Sequence, residues 1–242
     1  MLNPRLRAFA ESLLPGVVVR ALDPFEARMG QAVEEFSQSL PNGSRVLDAG
    51  AGESRYARLF DRHRYVALDL AVGDVAWNYS GLDLFGDLES LPLAANSFDA
   101  AINVVTLEHV KRPQLAIDEL ARVLRPGGRL LLVVPLEWEV HQAPHDYFRY
   151  TCYGLSFLLE TAGMTPQRLE PVGGFYWLMA RRSVNFLAFF QGGAKWILFA
   201  LLAPFFGLLF PLALYAVDGL DRRRDFTLGY VCEAVKRTDL GK

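Results

Sequence analysis

The chain has 242 residues, enough to bury one substantial core, so its length predicts one α/β domain with an appendage. Its net charge of −2 gives no electrostatic reason to expect a nucleic-acid partner. The two cysteines, Cys152 and Cys232, have neither metal-ligand spacing nor a disulfide framework, so we expect a reducing compartment and no metal site.

Residues 1–43 are predicted to form an N-terminal helical cap ahead of the main domain. The stretch PFEARMGQAVEEFSQSL is helical in pattern, with Asp23 as the N-cap and Pro24 at the first helical position. Upstream, Glu11 and Pro15 interrupt the apolar run, so we expect no signal peptide. The cap either covers the mouth of a ligand site or simply packs against the sheet.

Residues 45–58, RVLDAGAGESRYAR, predict a short buried strand, a glycine turn and the start of a helix. Gly50 and Gly52 allow a tight turn in which the backbone approaches a ligand closely. Asp48 lies at the carboxyl end of the strand, where open α/β sheets bind their ligands, and the helix N–H groups would point back at the turn. Taken alone, such a turn indicates any of several nucleotides.

A second predicted strand, RYVALDL at residues 64–70, ends near Asp69. An acidic side chain at that place can hold a ribose diol by accepting two O–H hydrogen bonds, and the alternative is a surface aspartate in a loop. Further on, Gly86, Asp87 and Leu88 are predicted at the end of a third strand. There Asp87 can accept from an exocyclic amine, and Leu88 can offer a backbone N–H to a ring nitrogen.

The rest of the sheet follows the same alternation of apolar strands and helices. The fourth strand is predicted at residues 98–104, a helix at RPQLAIDELARVL, and the fifth strand at residues 129–135. Continuous apolar strands between helices are typical of a parallel sheet covered on both faces. The third glycine of the dinucleotide motif G-x-G-x-x-G would fall at Arg55, which disfavours a nicotinamide- or flavin-dependent oxidoreductase.

In this order and spacing, the motifs resemble those of a class I S-adenosylmethionine-dependent methyltransferase, in the subgroup acting on small molecules and lipids. The resemblance is carried by VLDAGAGES, ALDL, GDLESLPLAANSFDAAI, LEHV and ELARVLRPGGRLLLVVP. It implies a Rossmann-like, seven-stranded α/β sheet that is parallel except for its last strand, with helices on both faces. One departure is Ser54, which stands where the family often has a third glycine. Its hydroxyl is expected to cap the following helix.

The resemblance also assigns S-adenosyl-L-methionine as the cofactor and places it along the sheet. The methionine part would lie at the glycine turn, the ribose at the end of the second strand, and the adenine at the end of the third. The amino group would lie at the carbonyl of Asn103. The expected cofactor-binding residues are Asp48, Ala49, Gly50, Gly52, Asp69, Leu70, Asp87, Leu88 and Asn103.

Methyl transfer starts from an activated sulfonium, so the protein mainly supplies positioning and, for an oxygen or nitrogen acceptor, a base. The candidates are His109 in LEHV and His145 in PHDYFRYT, a block that a set of these methyltransferases shares. Either histidine can take a proton near neutral pH, and Asp146 can orient a histidine or the substrate. His141 and Glu137 are further candidates. The alternative is that His109 caps the next helix and the others form a structural loop network.

Two more strands are predicted near the end of the chain, separated by an apolar insertion. TPQRLEPVGGFYW is predicted as the sixth strand, and FTLGYVCEAVKR at residues 226–237 as the last. The resemblance implies that the last strand lies antiparallel between the fifth and the sixth. The methyltransferase domain is therefore expected at residues 44–177 and 226–242, interrupted by the insertion at residues 178–225.

Residues 184–217 of the insertion carry a single charge, and about 20 apolar residues suffice to span a bilayer. One crossing would separate the last strand from its sheet, so both ends must lie on one side. Basic flanks at residues 181–182 and 222–224 fit entry from the cytoplasmic face. We expect two helices, about 183–202 and 204–219, that form a monotopic anchor, and the glycine pair at residues 192–193 offers another break. Packing on the protein itself or on a homodimer partner is the main alternative, and a double span is another.

Together these features predict S-adenosylmethionine-dependent methyl transfer, with O-methylation favoured, to a small amphiphilic or lipid-linked acceptor at the cytoplasmic face of a membrane. The acceptors considered are a quinone-like ring, a lipid and a lipid-linked sugar. The alternative function is a non-catalytic, membrane-associated scaffold that binds the cofactor. The sequence has no basic patch or run of stacking aromatics that would indicate a nucleic-acid substrate.

Overall fold

The structure, a computed structural model, describes residue 12, residues 14–74 and residues 76–238. Most of the predicted first helix, RLRAFAESLL, lies outside these residues. The seven strands are β1 Arg45–Ala49, β2 Arg64–Asp69, β3 Leu84–Phe85, β4 Phe98–Val104, β5 Leu124–Pro135, β6 Met164–Val172 and β7 Gly229–Lys236. The α-helices are α1 Gly16–Leu22, α2 Pro24–Ser39, α3 Pro113–Val123, α4 Cys152–Thr161, α5 Phe175–Phe186, α6 Trp196–Pro204 and α7 Phe210–Ala216.

The chain divides into two compact units. One comprises residues 29–170 and 229–242 and holds most of the sheet, and the other comprises residues 1–28 and 171–228 and holds the apolar insertion. Helix α1 therefore groups with the insertion, where the Tyr215 hydroxyl donates to its last carbonyl at 2.9 Å. Whether the cap covers the site or packs against the sheet stays a prediction.

The seven strands form one sheet in the order β3-β2-β1-β4-β5-β7-β6. Strands β1 to β5 pair in parallel, whereas β7 pairs antiparallel with β5, placing Cys232 opposite Leu132. This order confirms the predicted Rossmann-like α/β sheet with an antiparallel last strand and a helical insertion before it. The carboxyl ends of β1, β2 and β4 consequently meet at one edge of the sheet, where such folds bind their ligands.

The core lies along the central strands. Leu130 to Val134 of β5 are all fully buried, so side chains on both faces of this strand are covered. On α3, Ala116, Ile117 and Leu120 are also fully buried and lie on one side of the helix, three to four residues apart. The Asp23 carboxylate accepts from Glu26 N at 3.2 Å at the start of α2, which confirms the predicted N-cap.

The helix expected after the glycine turn is absent from this part of the described chain. Residues 52–56 form consecutive turns, followed by a short 3-10 helix at Ala57–Phe60. Ser54 has a φ of 56°, and one left-handed residue breaks the run of right-handed residues that an α-helix needs. Its hydroxyl donates to the Gly81 carbonyl at 3.1 Å instead of capping a helix. The predictions of a helix and of a Ser54 cap were therefore wrong.

The insertion is a helical hairpin that breaks at the glycine pair of residues 192–193 and not near residue 204. Helix α5 continues through a 3-10 turn at Leu187–Phe190, and a second helical arm runs over Gly193–Ala216. The break lies at Gly192, with a φ of 129°, because two successive glycines adopt backbone conformations that end a helix. The predicted helix bounds near residue 204 were wrong. Pro204 lies within the second arm, and a π-helical turn at Phe205–Leu209 follows it.

The two arms of the hairpin pack on each other through their aromatic and small residues. The Phe186 and Phe206 rings lie 5.3 Å apart, and Ser183 Oγ donates to the carbonyl of Phe206 at 3.1 Å. The second arm is long and apolar enough to cross a membrane by length and composition, yet only 6% of its most apolar window is buried. Ile197 and Leu201, for example, are 69% and 70% exposed.

Candidate functional site

The glycine turn begins where β1 ends, and its shape requires glycine at position 50. Gly50 has a φ of 88°, and a Cβ there would lie 2.2 Å from the Thr106 methyl carbon. Just before it, the buried Asp48 carboxyl accepts from the Tyr65 hydroxyl at 2.5 Å. Burial raises the pKa of Asp48 to about 7, although the Tyr65 hydrogen bond opposes this shift.

Asp69 joins the end of β2 to the glycine turn. Its Oδ2 accepts from Gly52 N at 2.9 Å, and its Oδ1 accepts from Ala71 N at 2.7 Å. A carboxylate oxygen has two lone pairs, so both oxygens keep an acceptor position for further donors such as ribose hydroxyls. Asp69 therefore shapes the turn as well as offering acceptors to a ligand.

Asn103 has a buried side-chain oxygen that could accept a hydrogen bond from a ligand. Its side chain is fully buried, and its Nδ2 donates to the Ala49 carbonyl at 2.7 Å. That bond directs Oδ1 away from Ala49, and Oδ1 has no hydrogen-bond partner among the described residues. Buried acceptors without partners are rare in folded proteins. An amino group bound at this edge would satisfy the Asn103 acceptor, which fits the amino group of S-adenosylmethionine.

The segment expected to face the adenine follows β3 directly. Gly86 N donates to the Asp69 carbonyl at 3.0 Å, which places Asp87 beside the end of β2. Asp87 Oδ1 accepts from Glu89 N at 2.9 Å, and Leu88 is buried. Leu70, the other residue predicted at this edge, is 51% exposed. The structure thus brings the predicted cofactor residues to one sheet edge, while their contacts with a cofactor stay predictions.

A loop that we call the strap, residues 136–151, follows β5 and folds back onto the 3-10 turn at Leu107–His109 after β4. Glu108 O accepts from Tyr147 N at 2.9 Å, and the Tyr150 hydroxyl donates to Leu107 O at 2.8 Å. The strap therefore lies along the same edge of the sheet as the glycine turn.

Two of the predicted catalytic residues meet at this junction. The His109 ring Nδ1 lies 2.5 Å from the His145 carbonyl oxygen, and the His145 ring faces the Tyr147 hydroxyl at 3.2 Å. Asp146 contacts neither ring. It binds Arg149 through both oxygens, at 2.6 and 2.8 Å, and accepts from His141 N at 2.9 Å. The Arg149 hydrogen bonds hold the pKa of Asp146 at about 2, so Asp146 organises the strap as an anion.

One residue of the junction was not predicted. The Glu108 carboxylate is fully buried, and the Nε2 atoms of His109 and His141 each lie 3.7 Å from its Oε1. The same carboxylate raises the pKa of His141. The sequence named both histidines only as base candidates, since nothing local in the chain pairs Glu108 with a histidine on a different loop.

Comparison with known families agrees with this geometry. Residues 47–132 match the family described as Methyltransferase domain. An Arabidopsis thaliana tRNA (carboxymethyluridine(34)-5-O)-methyltransferase is 34% identical over 46% of this chain and 28% of its own length. The ubiquinone/menaquinone C-methyltransferase UbiE of Syntrophotalea carbinolica is 33% identical over 55% of this chain and 59% of its own length. A Mycolicibacterium smegmatis fatty-acid O-methyltransferase is 36% identical over 39% of this chain and 38% of its own length. The chain thus spans less than two thirds of each of these relatives.

Solved structures share the fold at low identity. A chain from the complex between the Haloferax volcanii Trm112 methyltransferase activator and a methyltransferase superposes with a TM-score of 0.59 at 18% identity, covering 92% of this chain and 96% of its own. The [4+2]-cyclase SpnF superposes with a TM-score of 0.57 at 24% identity, covering 88% and 82%. Residues 47–132 thus match a methyltransferase family, and the whole sheet shares its fold with solved methyltransferase structures.

Proposed function

We propose that the protein, as a member of the S-adenosylmethionine-dependent methyltransferases, O-methylates a small amphiphilic or lipid-linked acceptor at the cytoplasmic surface of a membrane. The observation that carries the proposal is the shared sheet edge. The glycine turn, Asp69 and the unpartnered Asn103 carbonyl lie at the same ends of the strands as the strap with its histidines.

When bound, the cofactor supplies a methyl group on a sulfonium that needs no further activation. The protein then has to hold the reacting atoms in line and exclude water. In this assignment the Asn103 carbonyl accepts from the cofactor amino group, and Asp69 accepts from the ribose hydroxyls. Asp87 and Leu88 border the adenine, and the glycine turn admits the methionine part without side-chain obstruction.

The choice of an oxygen acceptor rests on the imidazoles of His109 and His145, since a hydroxyl must lose its proton as it is methylated. The His145 ring contacts only the Tyr147 hydroxyl among the hydrogen bonds described, and it belongs to the PHDYFRYT block. Two of the relatives compared above are O-methyltransferases, and one of these has a fatty acid in its name. His145 is accordingly proposed as the base, with His109 and Asp146 positioning the strap.

Membrane attachment is proposed for residues 184–217 because most of this apolar surface is exposed. The hairpin begins and ends next to β6 and β7, which are neighbours in the sheet, so both of its ends lie on one side of a membrane. The first arm, 12 α-helical and 4 3-10 residues, rises about 25 Å and contains Arg181 and Arg182. That length is too short to cross a hydrocarbon core of about 30 Å, so a monotopic anchor is favoured over a double span.

The experiment is transfer of a labelled methyl group from S-adenosylmethionine into a membrane lipid extract, followed by mass analysis of the labelled product. We expect an oxygen-methylated amphiphile, and a His145→Ala variant should lose at least about 100-fold in turnover while still binding S-adenosylhomocysteine. Label on carbon or nitrogen would contradict O-methylation. Binding of S-adenosylhomocysteine without transfer to lipid, protein or RNA fractions would favour the alternative, a non-catalytic scaffold.

A flotation assay with vesicles of neutral and anionic phospholipids tests the anchor separately. The full-length protein should float with the vesicles without detergent. A protein that stays at the bottom of the gradient as a homodimer would assign the apolar hairpin to a subunit interface instead.

A further inference from the structure

We propose that Glu108, His109 and His141 form a binding site for a divalent transition-metal ion of the zinc type. The ligand atoms of these three residues all lie within 4.8 Å of one another. Two of them follow β4 and the third follows β5, so the site would lie at the edge of the sheet that also carries the glycine turn. The cysteine spacing had predicted no metal site, and this cluster contains no cysteine.

The Glu108 carboxylate is buried without a hydrogen-bond partner among the described residues. Glu108 is fully buried, and neither of its oxygens has a hydrogen-bond partner within the described chain. A buried ionised carboxylate is costly unless a cation or several donors compensate it. The nearby Arg149 guanidinium directs its hydrogen bonds to Asp146 and to backbone carbonyls. A metal ion would supply the missing positive charge.

The two imidazoles are oriented with their Nδ1 atoms toward backbone carbonyls. His109 Nδ1 lies 2.5 Å from the His145 carbonyl oxygen, and His141 Nδ1 lies 3.1 Å from the Glu139 carbonyl oxygen. A carbonyl only accepts, so each Nδ1 carries the proton, and in a neutral ring each Nε2 carries a lone pair. A histidine whose Nδ1–H is bonded to a carbonyl while Nε2 faces inward is the usual arrangement of metal-binding histidines.

The distances distinguish a metal from a shared proton. A protonated imidazole bonded to a carboxylate would bring the nitrogen and oxygen to about 2.7–2.9 Å. Both Nε2 atoms instead lie 3.7 Å from the same Glu108 oxygen. Zinc bonds of about 2.0–2.1 Å at tetrahedral angles place ligand atoms about 3.3 Å apart, which small side-chain rotations would reach here.

The donor set also indicates which metals suit the site. Two imidazoles and one carboxylate suit Zn²⁺, Co²⁺ or Fe²⁺, whereas Mg²⁺ and Ca²⁺ prefer oxygen ligands. Three protein ligands leave a coordination position open for water or an acceptor hydroxyl, whose pKa the ion would lower. This role for the acceptor rests on the proposed methyl transfer, whereas metal binding by itself does not.

The test is titration of chelator-treated full-length protein with Co²⁺, followed by optical absorption, and with Zn²⁺, followed by calorimetry. We expect one ion per chain, and at least about a 10-fold loss of affinity in His141→Ala and in Glu108→Gln. His63→Ala is the matched control, because His63 lies on another loop and its Nε2 bonds to the Ser37 carbonyl. It should retain the wild-type affinity.

Folding and cofactor binding are followed in the same samples by circular dichroism and by affinity for S-adenosylhomocysteine. If the wild-type protein binds S-adenosylhomocysteine but takes up no more Co²⁺ or Zn²⁺ than the Glu108→Gln/His141→Ala double variant, the metal site is refuted and the methyltransferase assignment stands. Stoichiometric metal binding without S-adenosylhomocysteine binding would support the site and contradict the proposed function. If a variant fails to fold, the absorption spectrum of Co²⁺ bound to the wild-type protein tests the site instead. Bands of nitrogen and oxygen coordination would support the site, and their absence would refute it.

Discussion

The Nδ1 atom of His109 lies 2.5 Å from the carbonyl oxygen of His145, which ties the turn after β4 to the strap after β5. The contact uses the His109 ring but only the backbone of His145. The His145 imidazole therefore stays available to a substrate, whereas the remaining nitrogen of His109 faces the buried Glu108 carboxylate. Of the two base candidates, the geometry favours His145.

Asp48 should make stability fall as the pH rises. Its pKa is about 7 in the folded chain against an ordinary 3.8, so the folded state keeps a proton that the unfolded state releases. The resulting stabilisation is complete below about pH 4 and is lost as the pH rises through about 7, a change on the order of 4 kcal/mol. Asp48→Asn should remove this dependence. Urea unfolding of the wild-type and variant proteins without cofactor at pH 4.5, 6 and 7.5 measures this dependence. If the free energy of unfolding changes with pH in the same way for both proteins, Asp48 is not its source.

Asp146 should make stability rise as the pH rises. Its pKa is about 2 because Arg149 binds the anion through both carboxylate oxygens. It therefore stabilises the fold at pH values above about 4, and this contribution disappears as the pH falls through about 2. Asp146→Asn should lower the free energy of unfolding by about 2 kcal/mol at pH 7 and by less toward pH 3. Asp118→Asn, on the exposed side of α3, should have an effect within about 0.5 kcal/mol at every pH.

Gly50→Ala should impair the cofactor turn. The new Cβ would lie 2.2 Å from the Thr106 methyl carbon and would occupy a backbone with φ 88°. We expect a loss of about 1–3 kcal/mol in stability and weaker S-adenosylhomocysteine binding. Gly30→Ala is the control, since nothing lies within 4 Å of its Cβ position and it is inside α2, where alanine should stabilise by about 1 kcal/mol. Equal cofactor affinities for the two variants would show that the turn tolerates a side chain.

The exposed side of the hairpin should decide membrane binding. Ile197→Asp/Leu201→Asp replaces two residues that are 69% and 70% exposed, so the fold should survive while vesicle binding weakens by at least about 10-fold. Phe157→Asp, on α4, removes an apolar side chain that is 68% exposed and should leave flotation unchanged. A similar loss of vesicle binding in both variants would mean that flotation reports nonspecific adsorption of exposed apolar side chains. If the double variant stays bound but becomes monomeric, the surface is a subunit contact.

Local patterns in the sequence were sufficient for much of the architecture. The alternation of apolar strands and helices, the Asp23 N-cap and the apolar insertion each depend on residues close together in the chain. The antiparallel last strand and the cofactor came from resemblance to a family. The strand pairing confirms the first, and the methyltransferase match over residues 47–132 agrees with the second. The strands, the N-cap and the apolar insertion follow from periodicity and short motifs, which a sequence displays directly.

Only the tertiary structure decided the details of the site. Ser54 adopts a left-handed backbone in contact with Gly81, a residue far along the chain, and this contact accompanies the loss of the expected helix. The hairpin breaks at Gly192, whose φ is 129°, and not at Pro204, which lies inside the second arm. Glu108 meets His141 only because adjacent parallel strands bring their carboxyl ends together, and no spacing in the sequence encodes that meeting.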